Sequence, residues 1–555
     1  MYKVVIDDHQ YKSYTYYKTS DLLPIDLQLC PLTHKLFSND IFDIKDNIPV
    51  VSHSYALLCK HTCGVLSLKN TFGRCGKKFY YECIPNDKRL PHVLIPYSIK
   101  NTFHKKQLNL YVLFSYNEWK DKHPYGVLTE VLGSVDNLHT YYHYLLYCKN
   151  LNISIKKFNE DTTIALKKKQ SEEVILDLCK TLQIQDRQHY KTFTIDSESC
   201  QDYDDALGFQ DNILSVYIAN VPLWLESLHL WRSFTRRVST IYLPDKKRPM
   251  LPTILSDCLC SLQENQPRIA FTMDLHLNSD YSIKEITFCN SLIKIHKNFV
   301  YESDDLLKDK DYTHIFQIVQ GFLKINPLIH HVSNSYELIS YMAIFMNYEC
   351  SKYMLSKNKG IFRSVQQKEN ENVPDSIPES AKLFFHNFSY CRAQYTSHID
   401  SVYKSLMHKS IDSYLHITSP IRRLVDLLNM LMMQIELGLC EFTSDALDFY
   451  QIWIKDLEYI NQSMRAIRKV QNKCEILDLC SKDNEQLIKT HSGYLFDRVK
   501  THSGMYQYNV YLNHIKLVSR ISLFTYYENY SEQQFKLFVF MDESNCKKKI
   551  RLQLL

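Results

Sequence analysis

The stretch TFTIDSESCQDYDDALGFQ, residues 192–210, places four aspartates within ten positions: Asp196, Asp202, Asp204 and Asp205. Carboxylates only a few ångströms apart raise one another's pKa unless a cation or a hydrogen-bond donor stabilises their ionised forms. The cluster therefore predicts a positively charged partner at this point of the chain.

The residues around the aspartates predict a strand at TFTI, a loop at SESCQ and a second strand that begins near DDALGF. On that second strand, the two-residue repeat would put Asp202 and Asp204 on one face and Asp205 on the other, unless the loop bends. Oxygen ligands without histidine or cysteine favour Mg²⁺, or Mn²⁺ as a substitute, over zinc. Calcium is disfavoured because the loop lacks the glycine and terminal glutamate of an EF-hand. A solvated acidic turn is the alternative.

Length and composition indicate a soluble globular protein. The 555 residues suffice for about three or four domains. Hydrophobic residues make up 45% of the chain, and no apolar run reaches the ~18 residues that span a bilayer. The first residues, MYKVVIDDHQ, have neither a signal-peptide nor a transit-peptide pattern. We therefore expect a cytoplasmic location (host cytoplasm if the source is viral), no membrane partner and a monomer.

The cysteines and glycines exclude other classes of site. The 17 cysteines are scattered without a repeated framework, which is typical of reduced thiols. A grouping from Cys59 to Cys83 resembles a zinc site, but strand-like residues surround it. With only 11 glycines, the chain contains neither GxGxxG nor GxxxxGKS, so a glycine-rich phosphate loop is excluded.

Charge is concentrated near the last residues. Residues 486–555 carry ten Lys or Arg against five Asp or Glu, a surplus equal to the net charge of +5 for the whole chain. Interleaved Tyr, Phe, Lys and Arg on short strands are typical of surfaces that stack bases and contact phosphates. These strands therefore predict small β-barrels that bind single-stranded nucleic acid, although buried cores account for many of the aromatics equally well.

The predicted fold class is multidomain α/β, with an α+β domain flanked by small OB-fold barrels. The predicted segments are an unassigned one at 1–53, barrels at 54–100 and 101–165, a helical connector at 166–185, a mixed α/β domain at 186–480 and a third barrel at 486–555.

Three further segments indicate chemistry. The proline-rich stretch TIYLPDKKRPMLPTILSDCLCSLQENQPRIAF contains Tyr242, and IHKNFVYESDD contains Tyr301. The stretch YLHITSPIRRLVDLL sets Arg422 and Arg423 at the start of a helix, with a preceding serine or threonine as the predicted N-cap. A helix N-terminus with an arginine fork favours a phosphate site. The alternative is an ordinary capped helix with solvated arginines.

These motifs, in this order, resemble the catalytic domain of the ribonuclease II family. The flanks are similar too: IPNDKRLPHVLIPY and KHPYGVLTEVLG resemble the family's two cold-shock-type barrels, and residues 486–555 its ribosomal-S1-type barrel. The resemblance implies that residues 186–480 form an RNB domain. It also implies processive 3′→5′ hydrolysis of single-stranded RNA to nucleoside 5′-monophosphates by a Mg²⁺-dependent two-metal mechanism.

The resemblance also implies roles for individual residues. Asp196 and Asp205 would be the most direct metal ligands, while Asp202 and Asp204 would complete a second metal position and orient the attacking water. Arg422 would hold the non-bridging phosphate oxygens. Tyr242, Tyr301, Arg422 and Arg423 are the predicted RNA-binding residues.

The chain departs from the family pattern at two places. It has Asn220 where the family commonly has aspartate, a change expected to affect local structure more than metal binding. In INQSMRAIRKVQ the family's late acidic residue has no secure counterpart. A catalytically silent RNA-binding protein of the same fold is the alternative. A nucleotidyl polymerase, suggested by the triplet YDD, would leave the MLP and TSPIRR motifs unexplained.

Overall fold

The computed structural model describes residues 1–99, 108–325, 332–364, 373–374, 376–378, 381–382, 384–385, 393–397, 413–483, 485–501, 504–542 and 546–555. The chain divides into two compact units. Unit 1 comprises Met1–Asn152, Leu243–Asp245 and Val470–Leu555, and unit 2 comprises Ile153–Tyr242 and Lys246–Lys469. Among the described residues, every helix is too short or too polar to cross a membrane.

Unit 1 begins with a five-stranded sheet formed by the residues that the sequence left unassigned. Its strands are β1 (Tyr2–Ile6), β2 (Tyr14–Lys18), β3 (Pro24–Ile25), β4 (Ile41–Lys45) and β5 (Ile48–His53). They lie in the order β3-β2-β1-β4-β5. Val4, Ile6, Tyr16 and Phe42 are buried in its small core. Only a few positions of each strand are buried, so the alternation is too short to recognise in the sequence.

The next five strands close a single barrel in the order β10-β8-β7-β6-β9. They are β6 (Thr62–Cys75), β7 (Lys78–Pro85), β8 (Val93–Tyr97), β9 (Leu110–Glu118) and β10 (Tyr125–Ser134). The predicted division into one barrel at 54–100 and another at 101–165 is therefore wrong. Because β9 pairs with both β6 and β10, and β10 also meets β8, neither segment closes without the other.

Unit 2 is built around a seven-stranded mixed sheet in the order β11-β18-β17-β14-β13-β12-β19. Its strands are β11 (Ile184–Asp186), β12 (Thr192–Asp196), β13 (Asp205–Gln210), β14 (Ile213–Ala219), β17 (Pro267–Leu277), β18 (Ile283–Lys294) and β19 (Lys297–Val300). Two short ribbons accompany the sheet: β15 (Ile241–Tyr242) with β16 (Lys247–Arg248), and β20 (Phe362–Ser364) with β21 (Gln394–Thr396).

The sheet positions the acidic stretch at one edge. Strand β12 is antiparallel to β13 and parallel to β19, and Asp196 is the register partner of Val300. The end of β12, the start of β13 and the end of β19 therefore meet at the same edge. Side chains at these three strand ends converge without any long loop.

The last strands of unit 1 form a five-stranded antiparallel sheet in the order β24-β23-β22-β25-β26. They are β22 (Thr490–Lys500), β23 (Tyr506–Leu512), β24 (Leu517–Leu523), β25 (Glu532–Asp542) and β26 (Lys547–Leu554). Within unit 1, the hydroxyl of Tyr111 on β9 donates to the Cys546 carbonyl oxygen at 2.6 Å, and Tyr141 donates to the Lys548 carbonyl oxygen at 3.2 Å. These contacts pack the last strand against the barrel.

The α-helices are Tyr55–Leu58, Leu138–Cys148, Lys156–Lys168, Ser171–Thr181, Val221–Ser227, Asp304–Leu307, Lys310–Ile325, Ser335–Ser356, Leu424–Glu436, Ser444–Lys455, Leu457–Lys482 and Glu485–Ile488. A π-helical turn covers Ile254–Leu259, and single 3₁₀ turns cover Trp231–Ser233 and Asn513–Ile515.

Leu424–Glu436, which we call the arginine helix because it follows Arg422 and Arg423, is buried from Leu424 to Gln434. The predicted serine or threonine N-cap of this helix is wrong. Arg423 is the N-cap residue, and its side chain makes no capping hydrogen bond. The reason is that the three residues before Arg423 form a turn, so Ser419 lies four residues ahead of the cap.

Candidate active site

The four aspartates lie together at the edge of the sheet in unit 2. Asp196 is the last residue of β12 and Asp205 is the first residue of β13, while Asp202 and Asp204 lie in the connecting loop. The predicted strand faces for Asp202 and Asp204 are therefore wrong, because the strand begins one residue after Asp204. The loop, not the strand repeat, sets the direction of both side chains.

Asp204 is engaged at both carboxylate oxygens. Its Oδ1 accepts a hydrogen bond from the backbone N–H of Ile421 at 2.9 Å, and its Oδ2 accepts one from Arg422 Nε at 3.1 Å. The side chain is only 3% exposed, and burial raises its pKa to about 8. Asp204 thus fixes the segment before the arginine helix and orients the Arg422 guanidinium.

Asp202 is also engaged at both oxygens, and the ribbon β15–β16 supplies the donors. The hydroxyl of Tyr242 donates to Oδ2 at 2.5 Å, and Lys247 Nζ lies 3.3 Å from Oδ1. Tyr242 and Lys247 are register partners across the ribbon. Burial and the neighbouring Asp202 carboxylate raise the pKa of Tyr242, so its hydroxyl remains a donor.

Asp196 and Asp205 differ from the other two. The Asp196 carboxylate interacts with the Thr194 hydroxyl and with the weak Cys200 S–H donor, 3.6 Å from Oδ1. The Asp205 carboxylate has no hydrogen bond or ion pair with any residue that the structure describes. Burial raises the pKa of Asp196 to about 6, and burial together with Asp196 raises that of Asp205 to about 7. These two carboxylates retain open oxygens that a cation would stabilise.

The donor set fits Mg²⁺ or Mn²⁺. Only carboxylate oxygens are offered, and a Mg²⁺ ion typically uses one or two carboxylates and keeps several waters. In the described part of the chain, no group of three or more His, Cys, Asp or Glu side chains is arranged to hold a metal ion. Asp196 and Asp205 together match the partial coordination that Mg²⁺ prefers.

Arg422 and Arg423 have different environments. Besides Asp204, Arg422 contacts the Ser419 hydroxyl through Nη2 at 3.0 Å, and its side chain is 43% exposed. Arg423 donates through Nη2 to the fully buried Asp426 at 2.9 Å and to Ser419 at 3.1 Å. Arg422 therefore keeps an exposed edge for an anion, whereas Arg423 anchors the arginine helix.

Tyr301 follows β19 and reaches the same edge. Its backbone N–H donates to the Asp196 carbonyl oxygen at 3.0 Å, and its ring meets Tyr336 edge-on at 5.5 Å. Burial, followed by the Asp205 and Asp196 carboxylates, raises the pKa of its hydroxyl. The structure thus brings the predicted Tyr301 and Tyr242 to the aspartates.

Asn220, the departure from the family pattern, lies in a buried amide network. Its side chain bonds Asn290 at 2.9 Å and Gln434 at 3.2 Å, and it accepts from Leu223 N at the start of Val221–Ser227. These contacts support the expectation of a local structural effect.

Sequence reasoning missed Lys247 and Asp257. Lys247 Nζ lies 2.8 Å from Asp257 Oδ1, in addition to its contact with Asp202. Burial opposes the charge of Lys247, but its hydrogen bonds to Asp257 and Asp202 and their negative charges together outweigh burial and raise the pKa of Lys247. The sequence shows a lysine doublet after Tyr-Leu-Pro-Asp. The doublet alone does not identify Asp202 as a partner of Lys247, because that contact depends on the register of the ribbon.

Sequence reasoning also missed His416, which is fully buried two residues before Thr418. Its Nδ1 pairs with the Tyr395 hydroxyl at 2.8 Å and its Nε2 lies 3.3 Å from Arg363 Nη1. Burial, followed by Arg423 and Arg363, lowers its pKa well below the usual range, so the ring is neutral.

The arrangement combines two open carboxylates with the exposed edge of an arginine and two tyrosine rings. A divalent cation at the carboxylates and the guanidinium of Arg422 would both place positive charge beside a phosphodiester bound at this edge. Fixed positive groups of this kind stabilise charge that develops on phosphate oxygens. The geometry therefore suits phosphoryl chemistry on a nucleic acid.

Comparisons with known proteins give two family matches. The model for the RNB domain matches residues 184–320, which contain the four aspartates, Tyr242 and Tyr301. The model for the Dis3-like cold-shock domain 2 matches residues 80–150, across the boundary that had been predicted between two barrels.

One similar curated protein is ribonuclease R of Chlamydia pneumoniae, 23% identical over 42% of this chain and 45% of its own length. The chain matches less than half the length of the curated relatives compared. Ribonuclease R of Mycoplasma genitalium, solved with ribose-methylated single-stranded RNA, has the same fold: the TM-score is 0.68, at 16% identity and full coverage of both chains. The yeast pseudonuclease Ssd1 also shares the fold, with a TM-score of 0.58 at 14% identity over 87% of this chain and 68% of its own.

The family matches agree with the geometry of the site. The RNB model covers the edge of the sheet where the aspartates meet, and the cold-shock model covers β8, β9, β10 and most of β7 in the closed barrel. The chain therefore contains an RNB domain and a Dis3-like cold-shock domain, and it has the fold of ribonuclease R.

Proposed function

We propose that this chain is a Mg²⁺-dependent exoribonuclease that degrades single-stranded RNA processively from its 3′ end and releases nucleoside 5′-monophosphates. The observation that carries the proposal is the pair of open carboxylates, Asp196 and Asp205, beside the exposed edge of Arg422. Single-stranded RNA is the proposed partner, and the proposed working form is a cytoplasmic monomer.

Asp196 and Asp205 would hold the divalent cation. The bound ion supplies a lowered pKa for the attacking water and neutralises charge on the leaving oxygen. Asp204 would contribute without coordinating the ion. It accepts a hydrogen bond from Arg422 Nε at 3.1 Å and so orients the guanidinium. Arg422 then binds the non-bridging phosphate oxygens, where its charge has most effect as negative charge develops.

The tyrosines position the RNA. The ring of Tyr242 is partly exposed while its hydroxyl is fixed on Asp202, so a base can stack on a ring that is already oriented. Such stacking contributes roughly 1–3 kcal/mol per base. Tyr301 would contact the terminal nucleotide beside the carboxylates, and its backbone hydrogen bond to Asp196 supports this role.

The test is to incubate the purified chain with Mg²⁺ and single-stranded RNA labelled at either end. We expect the 3′ label to appear at once as a nucleoside 5′-monophosphate, identified by mass spectrometry, while the 5′ label remains on long RNA. Asp205→Asn is the matched control and should abolish release. Release of the 5′ label first, or internal fragments, would contradict the proposal.

A second candidate is catalytically silent RNA binding, which the fold shared with the pseudonuclease Ssd1 favours. The same assay separates the two functions. A silent protein would retain labelled RNA in a filter-binding experiment without releasing any nucleotide at any Mg²⁺ concentration.

A further inference from the structure

Lys247 is held between two carboxylates at the edge of the site. Its ammonium lies 2.8 Å from Asp257 Oδ1 and 3.3 Å from Asp202 Oδ1, and the side chain is mostly buried. Asp257 is itself fixed, because the Ser256 hydroxyl donates to the same Oδ1 at 2.6 Å and Gln263 donates to its backbone oxygen. Lys247 cannot move away from Asp202 without also changing its contact with Asp257.

A second divalent cation at Asp202 would meet two obstacles. Both oxygens of Asp202 already accept from protein donors, so an ion would have to displace Tyr242 or Lys247. The ion would also lie close to the lysine ammonium, and like charges a few ångströms apart in a partly buried site repel strongly. At Asp196 and Asp205 the obstacles are smaller: Asp205 accepts from none of the described residues, and Asp196 is bonded to the Thr194 hydroxyl and the weak Cys200 donor and not to an ammonium.

We infer that the Lys247 ammonium occupies the place beside Asp202 that a second divalent cation would need, so that the site binds one divalent ion tightly and uses a lysine in place of the other. The inference rests on the proposed function, since it assigns the first ion to Asp196 and Asp205. It replaces the two-metal mechanism implied by the family resemblance. Lys247 acts as a positioning residue, because it fixes Asp202 and, through it, the Tyr242 ring.

The test measures how many Mn²⁺ ions the full chain binds, since Mn²⁺ can be counted from the electron paramagnetic resonance signal of the free ion. We expect the wild type to bind one Mn²⁺ ion tightly and Lys247→Met to bind two. The variant should bind its second Mn²⁺ with a Kd at least about tenfold lower than that of any second ion on the wild type. Two ions ~3.5–4 Å apart would also show spin coupling, and we expect that signature only in the variant.

Lys246→Met is the matched control. Lys246 is the exposed neighbour of Lys247, so its replacement removes the same charge without touching an aspartate of the site. We expect this variant to bind one ion. Lys247→Gln keeps a polar side chain without the charge, and it serves if the methionine variant fails to fold.

The outcomes separate this inference from the proposed function. Two coupled ions in the wild type, or one ion in both Lys247 variants, would overturn the role of Lys247 and leave the ion at Asp196 and Asp205 in place. If the wild type binds no Mn²⁺, or if Asp205→Asn keeps the tight ion, the metal assignment of the proposed function fails as well.

Discussion

Asp204 and Asp205 are neighbours along the chain, yet their carboxylates have opposite roles. Asp204 is satisfied by Ile421 N–H and Arg422, whereas Asp205 has open oxygens beside Asp196. The change of side-chain direction arises because the strand begins between them. Two adjacent residues therefore have different functions: Asp204 orients the Arg422 guanidinium, and Asp205 is proposed to bind the metal ion.

The first prediction concerns Asp204→Asn. The amide preserves the size of the side chain but removes the charge that orients Arg422, so we expect single-turnover cleavage of RNA to fall by at least about 100-fold. Equilibrium binding of RNA should be kept or improved, since one negative charge near the phosphates is lost. Cleavage close to the wild-type rate would contradict the role assigned to Asp204.

The second prediction concerns Arg422→Lys. A point charge remains, but the planar fork that contacts Asp204 and Ser419 is lost. We expect kcat to fall by about tenfold or more, which corresponds to roughly 1.4 kcal/mol of barrier, with RNA affinity nearly unchanged. Weaker RNA binding with a normal rate of single-turnover cleavage would show that Arg422 contacts a phosphate distant from the scissile one.

The third prediction uses the raised pKa of Asp205, which is about 7 in the folded chain against the usual 3.8 of an aspartate side chain. A carboxyl with a raised folded pKa stabilises the folded state below its unfolded pKa, and this stability is lost as pH rises through the folded pKa. In EDTA, Asp205→Asn should therefore gain stability over the wild type as pH rises from about 5 to 8. We expect a Tm difference that grows by a few degrees, on the order of 1 kcal/mol or more. A Tm difference that does not change with pH would show that ionisation of Asp205 does not destabilise the folded state.

At the scale of elements, the arginine helix depends on one buried ion pair. Asp426 accepts from Arg423 Nη2 and from the Ser419 backbone N–H, and it is fully buried. Removing one partner of such a pair leaves the other charge buried and uncompensated. The pair therefore ties the TSPIRR turn to the first turn of the helix.

The fourth prediction follows from this anchor. We expect Asp426→Ala to lower the free energy of unfolding by about 3–5 kcal/mol, measured by urea denaturation. Asp448→Ala is the control, because Asp448 is exposed on the next helix and its loss should change stability by less than about 0.5 kcal/mol. Equal effects of the two changes would mean that the ion pair contributes no net stability.

The site was largely predictable from the sequence because its residues lie in short, ordered motifs. The residues Asp196, Asp205, Tyr242, Tyr301 and Arg422 all lie in motifs that the family resemblance marks, and the structure brings them to one edge. The position of Lys247 was not predictable, because it depends on the register of a ribbon with two residues in each strand. The N-cap was misjudged for a related reason: a turn of unknown length separates Ser419 from the helix.

For the whole molecule, the sequence indicated the correct fold class but an incorrect division of the barrels. The predicted boundary at residue 100 falls in the connection between β8, which ends at Tyr97, and β9, which begins at Leu110. Strand pairing between distant segments shows that these strands form one barrel, since Thr62–Leu66 of β6 pairs with Leu110–Phe114 of β9. Such long-range pairing leaves no local signal in a single sequence.

The fifth prediction concerns the basic surface of the last sheet. Lys536 lies over the exposed Phe538 ring, and Arg551 is the register partner of Phe538 on the neighbouring strand. If both cations contact phosphates, Lys536→Gln with Arg551→Gln should reduce the slope of log K against log salt by up to about 1.4, at about 0.7 per contact. Lys549→Gln is the control, because that ammonium already pairs with Asp542. An unchanged slope in the double variant would exclude this surface from RNA binding.

The contacts of Tyr111 and Tyr141 with the last strand have a consequence for the order of folding during translation. Their hydroxyls bond the carbonyl oxygens of Cys546 and Lys548, which leave the ribosome some 400 residues after the tyrosines do. Residues 153–469, apart from the short insertion at 243–245, form unit 2 and are complete well before that moment. Unit 2 can therefore fold on the nascent chain. In unit 1, the hydroxyls of Tyr111 and Tyr141 cannot form these hydrogen bonds until the last residues have been synthesised. A ribosome that stalls before residue 546 would carry a folded sheet with its aspartates, but the last sheet of unit 1 would lack β26.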